Sequence, residues 1–400
     1  QLQATRELLY NTNLFSQVDL QVDMPSPYTI HIHVAVIERI YLIPSPEFRL
    51  SDRNLNEWWT TYHADLSRIT YGIKLRHTNL TGNADRLSLF ALNGFTRLIS
   101  LQYNTPYVDA KLTKGFSVGL TYMRQREMIC KTNYDNLVSV YRKDKYVNES
   151  FSFQSTYSIR KGFYKRHQFQ LVLQSLHVDD SLMSNRYNPG YFNQISTQWF
   201  IPEVSYYYQY LHIDNINYPT KGTIFLTRMA KKGIGWEGGI NALTLDATLK
   251  WYQPLRSNLF LTIQTSDKIR LPFNQAYINR QAFGYGEYYL RGLEFRVIDA
   301  VASSLNRFTL ATTLLDKKIR IPFKNKYVPY LPILIFAKTY TDVGYAYNLL
   351  EHQTQLSNKF LYTGGFGVDV LSLYDIRTAV EYSFNQLGEK GVFLHLYGLF

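Results

Sequence analysis

The stretch from Asn241 to Trp251, NALTLDATLKW, alternates apolar and polar residues with a period of two. Leu243, Leu245, Ala247, Leu249 and Trp251 fall on one face of an extended strand, while Thr244, Asp246, Thr248 and Lys250 fall on the other. A strand that carries Asp and Lys on its second face needs that face wet, although its first face is apolar. Residues 166–176 repeat the theme, with Phe169, Leu171 and Leu173 set against Gln168, Gln170 and Gln174. Phe308, Leu310 and Leu314 stand against Arg307, Thr309 and Thr313 in the same way.

Working outward, segments of this kind recur near 68–77, 84–93, 96–104, 114–126, 133–145, 149–160, 166–178, 197–212, 221–231, 240–253, 257–268, 306–317, 331–346, 359–370, 374–385 and 390–400. They number sixteen, the even count of a single-chain antiparallel transmembrane β-barrel, so the expected fold class is all-β. With the first segment starting in the periplasm, every second connection is a short periplasmic turn, and Asn93-Gly94, a strong hairpin signal, falls where one is needed. The same parity puts the 270–305 stretch outside. A soluble β-sandwich of this length would split into two domains, yet no Pro/Ser-rich or charged linker follows residue 66. One barrel over 68–400 is the more economical reading.

Composition permits it. The 400 residues are 16% aromatic, with 34 Tyr and 24 Phe, while mean hydropathy is −0.24 and only 18% of residues are charged. The longest apolar run, Tyr330 to Ala337, spans eight residues and contains Pro332, so a helical membrane span is excluded. A chain of this kind that crosses a membrane does so as a closed barrel. Cys130 is the single cysteine, which rules out an intramolecular disulfide and a Cys-based zinc cluster; it reads as incidental. The net charge of +12 suits nucleic acid in principle, but the basic residues are scattered or in short clusters such as Lys317-Lys318-Ile319-Arg320, without a recognisable module. They fit a polar lumen or anionic lipid head groups at a membrane rim.

Residues 271–300, LPFNQAYINRQAFGYGEYYLRGLEFRVIDA, break the alternation. A connection of about 30 residues in a tightly turned strand protein reads as a functional loop, the alternative being an exposed Gly-rich one. At the other extreme, residues 1–45 hold something that is not barrel. Leu2 to Asn13 is a short amphipathic helix ended by Asn13, followed by alternating strands at 15–22 and 29–36 around a Pro-Ser-Pro turn. Three such elements cannot bury a full core, so this is expected to be the rear part of a small α+β module. His31 and His33 share a strand face and could pair as metal ligands. No Cys or carboxylate stands at matching spacing, so they read as surface residues and no metal site is expected. Residues 46–67 read as a connector, in which Trp58 and Trp59 serve packing or a lipid interface. With no start Met at Gln1, a targeting segment and further domains are expected upstream.

Several motifs resemble those of the Omp85 superfamily of outer-membrane barrels. LRGLE, with Arg291-Gly292, is similar to the Arg-Gly-aromatic motif on that family's sixth extracellular loop, which folds into the lumen; Leu293 stands where the family has Phe or Tyr. DNINYPTKGTIFLTR resembles its strand-introducing turn, here Asp214, Pro219 and Gly222. TDVGYAYN resembles its aromatic-Asp-x-Gly strand motif, here Asp342 and Gly344 with Thr341 in the aromatic place. NTNLFSQVDLQV is similar to the helix-to-strand junction of a POTRA domain, the periplasmic repeat preceding such barrels. The chain ends on an aromatic, Phe400, as these barrels commonly do.

The resemblance implies that Asp342 holds Arg291 inside the barrel; otherwise the two are solvated lumen charges that never meet. Some members add a second acid on the strand after the loop, where this chain offers Asn306, Thr309, Thr312 and Thr313. It also implies a lateral gate at the seam between segments 68–77 and 390–400, marked by Gly72, Gly398 and Phe400, with Gly398 either part of that seam or a small residue at a turn. The implied function is insertion, assembly or translocation of client polypeptides at the bacterial outer membrane, with the N-terminal module in the periplasm. The alternatives are a two-partner secretion pore, a structural barrel, or a barrel anchoring an enzyme domain upstream. Implied partners are outer-membrane lipid or lipopolysaccharide, client polypeptides and lipoprotein subunits, with no nucleic acid. No cofactor is expected. The residues themselves offer no Gly-x-Ser-x-Gly nucleophile, phosphate loop or metal cluster, so no catalytic residue is expected.

Overall fold

Alternation of the kind in NALTLDATLKW pairs strands into a ladder, and in the computed structural model nearly every such segment does so. The structure describes residues 2–51, 58–59, 62–235, 239–286, 288–320, 330–349, 355–372 and 376–397. Helix α1 (Leu2–Tyr10) stops where Asn13 takes a left-handed φ of 59°, a conformation that Asn tolerates. Strands β1 (Phe15–Ser26) and β2 (Thr29–Glu38) form an antiparallel hairpin against it, with Val18 buried under the helix.

The main sheet begins with β3 (Leu42–Leu50), β4 (Ile69–Thr78), β5 (Arg86–Gly94), β6 (Thr96–Thr105) and β7 (Lys114–Gln125). A separate hairpin follows, β8 (Glu127–Asn133) and β9 (Asn136–Tyr141). The sheet resumes with β10 (Asn148–Lys161), β11 (Lys165–Val178), β12 (Gln198–Ile213), β13 (Gly222–Lys232), β14 (Ala242–Pro254) and β15 (Leu259–Leu271). Inside the long loop, β16 (Gln281–Phe283) pairs with β17 (Ile298–Asp299). The last five strands are β18 (Ala302–Arg320), β19 (Tyr330–Tyr347), β20 (Phe360–Leu371), β21 (Arg377–Asn385) and β22 (Lys390–Tyr397). Sixteen strands, β3 to β7, β10 to β15 and β18 to β22, form one antiparallel sheet in chain order. Among the described residues, β3 and β22 each have one neighbour.

The expected total of sixteen agrees with this sheet, but its membership differs at one strand. Segment 133–145 is not a barrel strand. A turn at Tyr134-Asp135, with φ of 47° and 61°, folds it into the β8–β9 hairpin, and Tyr-Asp lacks the glycine that usually announces such a turn. The missing strand is β3, inside the stretch expected to be module and connector. Pro44 and Pro46 hid it, because proline is confined to sheet edges, and an edge is where β3 lies. Three corrections follow. The barrel begins at Leu42 rather than 68; Gly72 lies on the second strand, opposite Glu47 and Leu92, and not at the seam; and Asn93-Gly94 falls at the same end as the long loop. Gly398 and Phe400 lie outside the described residues.

The sheet is rolled. Asp135, in the connection after β7, accepts from the backbone N–H of Gln355, in the connection after β19, at 3.0 Å. Its carbonyl accepts from Val297 in the long loop, also at 3.0 Å. At the opposite end, Asn11, just past α1, bonds the 213–216 backbone at 2.9 and 3.3 Å. The outer face carries Leu245, Leu249, Trp251, Phe366, Val392 and Leu394, all exposed, whereas the inner face buries Lys338, Asp342, Asp369 and Glu381. Oily outside and ionised inside is the inversion expected of a strand barrel in lipid. No described helix is long and apolar enough to cross a membrane.

The candidate loop clamp

The loop between β15 and β18 turns inward on left-handed glycines. Gly292, at φ 91°, passes so close to β21 that an added Cβ would sit 3.0 Å from the Ser383 side chain and 3.2 Å from the Phe384 carbonyl. Its own carbonyl accepts from Asn385 Nδ2 at 2.7 Å. This seats the neighbouring Arg291 deep in the lumen. Arg291 Nη2 lies 2.5 Å from Asp342 Oδ1, its Nε 3.1 Å from Oδ2, and its backbone N–H donates to Oδ2 at 2.9 Å. Nη1 donates to Thr309 at 3.1 Å, and the guanidinium stacks 3.9 Å from the Tyr340 ring centre. Arg307, across the ladder from Asp342, adds a contact at 3.4 Å.

Asp342 is fully buried, so its charge depends on these donors; a buried carboxylate stripped of them would be severely destabilising. Gly344, one inward position further along β19, leaves room for Leu290, whose methyl carbons stand 3.2 Å from where a Cβ would be. The Asp-x-Gly spacing therefore supplies a counter-ion and a notch on one strand face. Leu293 is buried in the loop's apolar core with Phe283, Leu290, Ile298, Leu305 and Leu361, and the aromatic against the arginine comes from β19 instead.

The loop's outer part is tied down by hydroxyls. Thr132, Tyr277 and Tyr285 form a triangle of contacts at 2.9 to 3.2 Å, and Tyr285 donates to Asp299 at 2.5 Å. Burial pushes the Asp299 carboxyl up to about 6 and raises that of Asp135 as well.

Asp214 caps the turn before β13, accepting from the backbone N–H groups of Asn215 and Thr220 at 2.9 and 3.0 Å. Pro219 lies within that turn, and Gly222, at φ 114°, approaches the His212 carbonyl too closely for any Cβ. The turn aims Tyr218 into the barrel, where its hydroxyl donates to Asp369 at 3.0 Å. Lys338 joins Asp369 at 2.6 Å to Glu381 at 2.5 Å. Sequence reasoning missed Tyr218, Lys338, Asp369 and Glu381. For the last three the signal was present as charges on the inward face of β19 to β21, but the pairings are fixed by register.

A sixteen-stranded sheet, apolar outside and plugged by an arginine-anchored loop, defines the class: an outer-membrane type of β-barrel. A family model described as the Omp85 superfamily domain matches residues 79–295, more than half of the chain, and the protein belongs to that superfamily. Among solved structures, BamA from Haemophilus ducreyi lacking POTRA domains 1–3 aligns with a TM-score of 0.56 at 11% identity, covering 99% of this chain and 78% of that one. CdiB from Escherichia coli aligns with a TM-score of 0.59 at 9% identity, covering 98% and 68%. At such identities the likeness is one of fold. No curated protein sequence matches the chain.

Proposed function

We propose that this protein inserts, assembles or translocates client polypeptides at the bacterial outer membrane, through a barrel whose first and last strands part. The observation that carries the reading is β3. Among the described residues its one neighbour is β4, and Pro44 and Pro46, two residues apart, direct their donor-less nitrogens to one side of the strand. A full ladder to β4 requires that side to be the free one, so the edge that would meet β22 lacks two donors. An edge so weakened opens at low cost, and the backbone groups that it keeps can then pair with an added strand. In this reading, the α1–β1–β2 unit is the end of a POTRA-like periplasmic module, resting on the turn at 214–221, and the loop clamp holds the lumen shut while the seam works.

A secretion pore is the second reading, favoured by a cavity whose lining is uncharged and mostly polar, with Asn104, Gln154, Thr156, Gln170 and Gln209 beside Phe116. The CdiB likeness is compatible with it. The two separate in one experiment: paired cysteines across β3 and β22, tried at Phe48 and Glu47 against Leu394 and His395 in a Cys130→Ala background. Loss of client assembly on oxidation, restored by reductant, supports the gate. A formed lock with unchanged assembly removes it and leaves the lumen as the path.

A further inference from the structure

Three residues from the clamp, Glu294 descends toward the last two strands and meets Glu381 of β21 and His395 of β22. His395 Nε2 lies 3.4 Å from Glu294 Oε1 and 3.7 Å from Glu381 Oε2, and one ligand atom from each of the three residues falls within a 4.8 Å group. Beyond these long contacts to one another and the Gly292 N–H beside Glu294, no well-formed hydrogen bond satisfies these oxygens or His395 Nε2, although the atoms are buried and Glu381 is only 2% exposed. The second oxygen of Glu381 is held by Lys338, which leaves Oε2 aimed at the group. Charge is also uneven: Asp369 and Glu381 share one lysine, Lys338, and among the described residues Glu294 has only the His395 imidazole as an ion-pair partner. Unpaired buried acceptors are costly, so a group of them calls for a cation.

We propose that Glu294, Glu381 and His395 form a site for one divalent transition-metal ion of the zinc class, which fastens the lumen loop to the strands at the barrel's seam. One imidazole and two carboxylates make a borderline donor set that suits zinc better than calcium or magnesium, which prefer all-oxygen shells. Ligands at about 2.0–2.2 Å from a tetrahedral ion stand roughly 3.3 Å from one another, close to the spacing of His395 and Glu294. Lys338 occupies the other Glu381 oxygen and orients that carboxylate, as an outer partner does in a metal site. The three ligands come from the loop, the penultimate strand and the terminal strand, so the ion would couple the plug to the gate.

A second His-containing group, Asp23 with His31 and His33, is exposed on the N-terminal hairpin, where the carboxylate comes from across the ladder. Any metal taken up there would mask the inner site, so the test uses the full chain with His31→Ala and His33→Ala. Titration of the detergent-folded protein with Zn2+ should show one equivalent bound, and Co2+ should give the visible bands of a low-symmetry nitrogen and oxygen site. Glu294→Gln, a loop change that keeps shape, and His395→Gln should each weaken uptake by about tenfold or more and abolish the Co2+ bands. Circular dichroism confirms the fold, and if His395→Gln does not fold, Glu294→Gln decides alone. A folded protein that takes up neither metal, or one whose uptake survives Glu294→Gln, overturns the proposal and leaves an ion pair only.

Discussion

Arg291 and Asp342 are unequal partners. Asp342 faces two guanidiniums, those of Arg291 and Arg307, whereas Arg291 also has Thr309 and the face of Tyr340. Removing one member of a buried pair typically costs ~3–5 kcal/mol, and the sharper loss falls where more charge is stranded. Asp342→Asn, which strands two cations, should therefore unseat the loop more than Arg291→Met, which leaves the carboxylate with Arg307. Limited proteolysis of residues 272–301 in the folded protein measures it; equal or reversed sensitivity would mean that the pair is not what holds the loop. Leu293 points the same way: an aromatic is unnecessary beside Arg291 because Tyr340 already stacks on it from β19.

Among the elements, β3 is set apart by two prolines, which concealed it in the sequence and on which its proposed role rests. Pro44→Val with Pro46→Val restores two backbone donors at the free edge, each hydrogen bond worth about 0.5–1.5 kcal/mol net. The double variant should slow client assembly without harming the barrel, read as assembly rate against a thermal stability that is kept or raised; an unaltered rate would show that the prolines do not set the seam. The alternating pattern made most strands legible, since each carries its own inner and outer faces. What alternation cannot convey is a turn without glycine, as at Tyr134-Asp135, or a strand whose edge position matters more than its propensity. In the same way Arg291 and Asp342 were legible as a motif, but Glu294, Glu381 and His395 meet only after the loop folds inward and the last strands come into register.

Across the whole molecule, polar contacts run from the N-terminal unit to the plug. Asn11 and Asn13 hold the 213–217 backbone and Asn217, Tyr218 of the same turn reaches Asp369, and Lys338 carries the chain to Glu381 beside Glu294 and His395. Both ends of the lumen are thus attached to β19 through β22, the quarter of the barrel next to the free edge. The opposite wall, around Gln154 and Gln170, has no comparable ion pairs among its cavity-lining residues. A barrel built this way is stiff where the loop and turn grip it and weak along one line. Hydrogen exchange of the folded protein in detergent or bilayers, resolved strand by strand, tests that line most directly. Amides of β3 and β22 facing the seam should exchange at least about tenfold faster than those of β12 to β15, because they lack a second neighbour. Protection of β3 and β22 equal to that of the interior strands would contradict a weak seam, and with it the proposed gate.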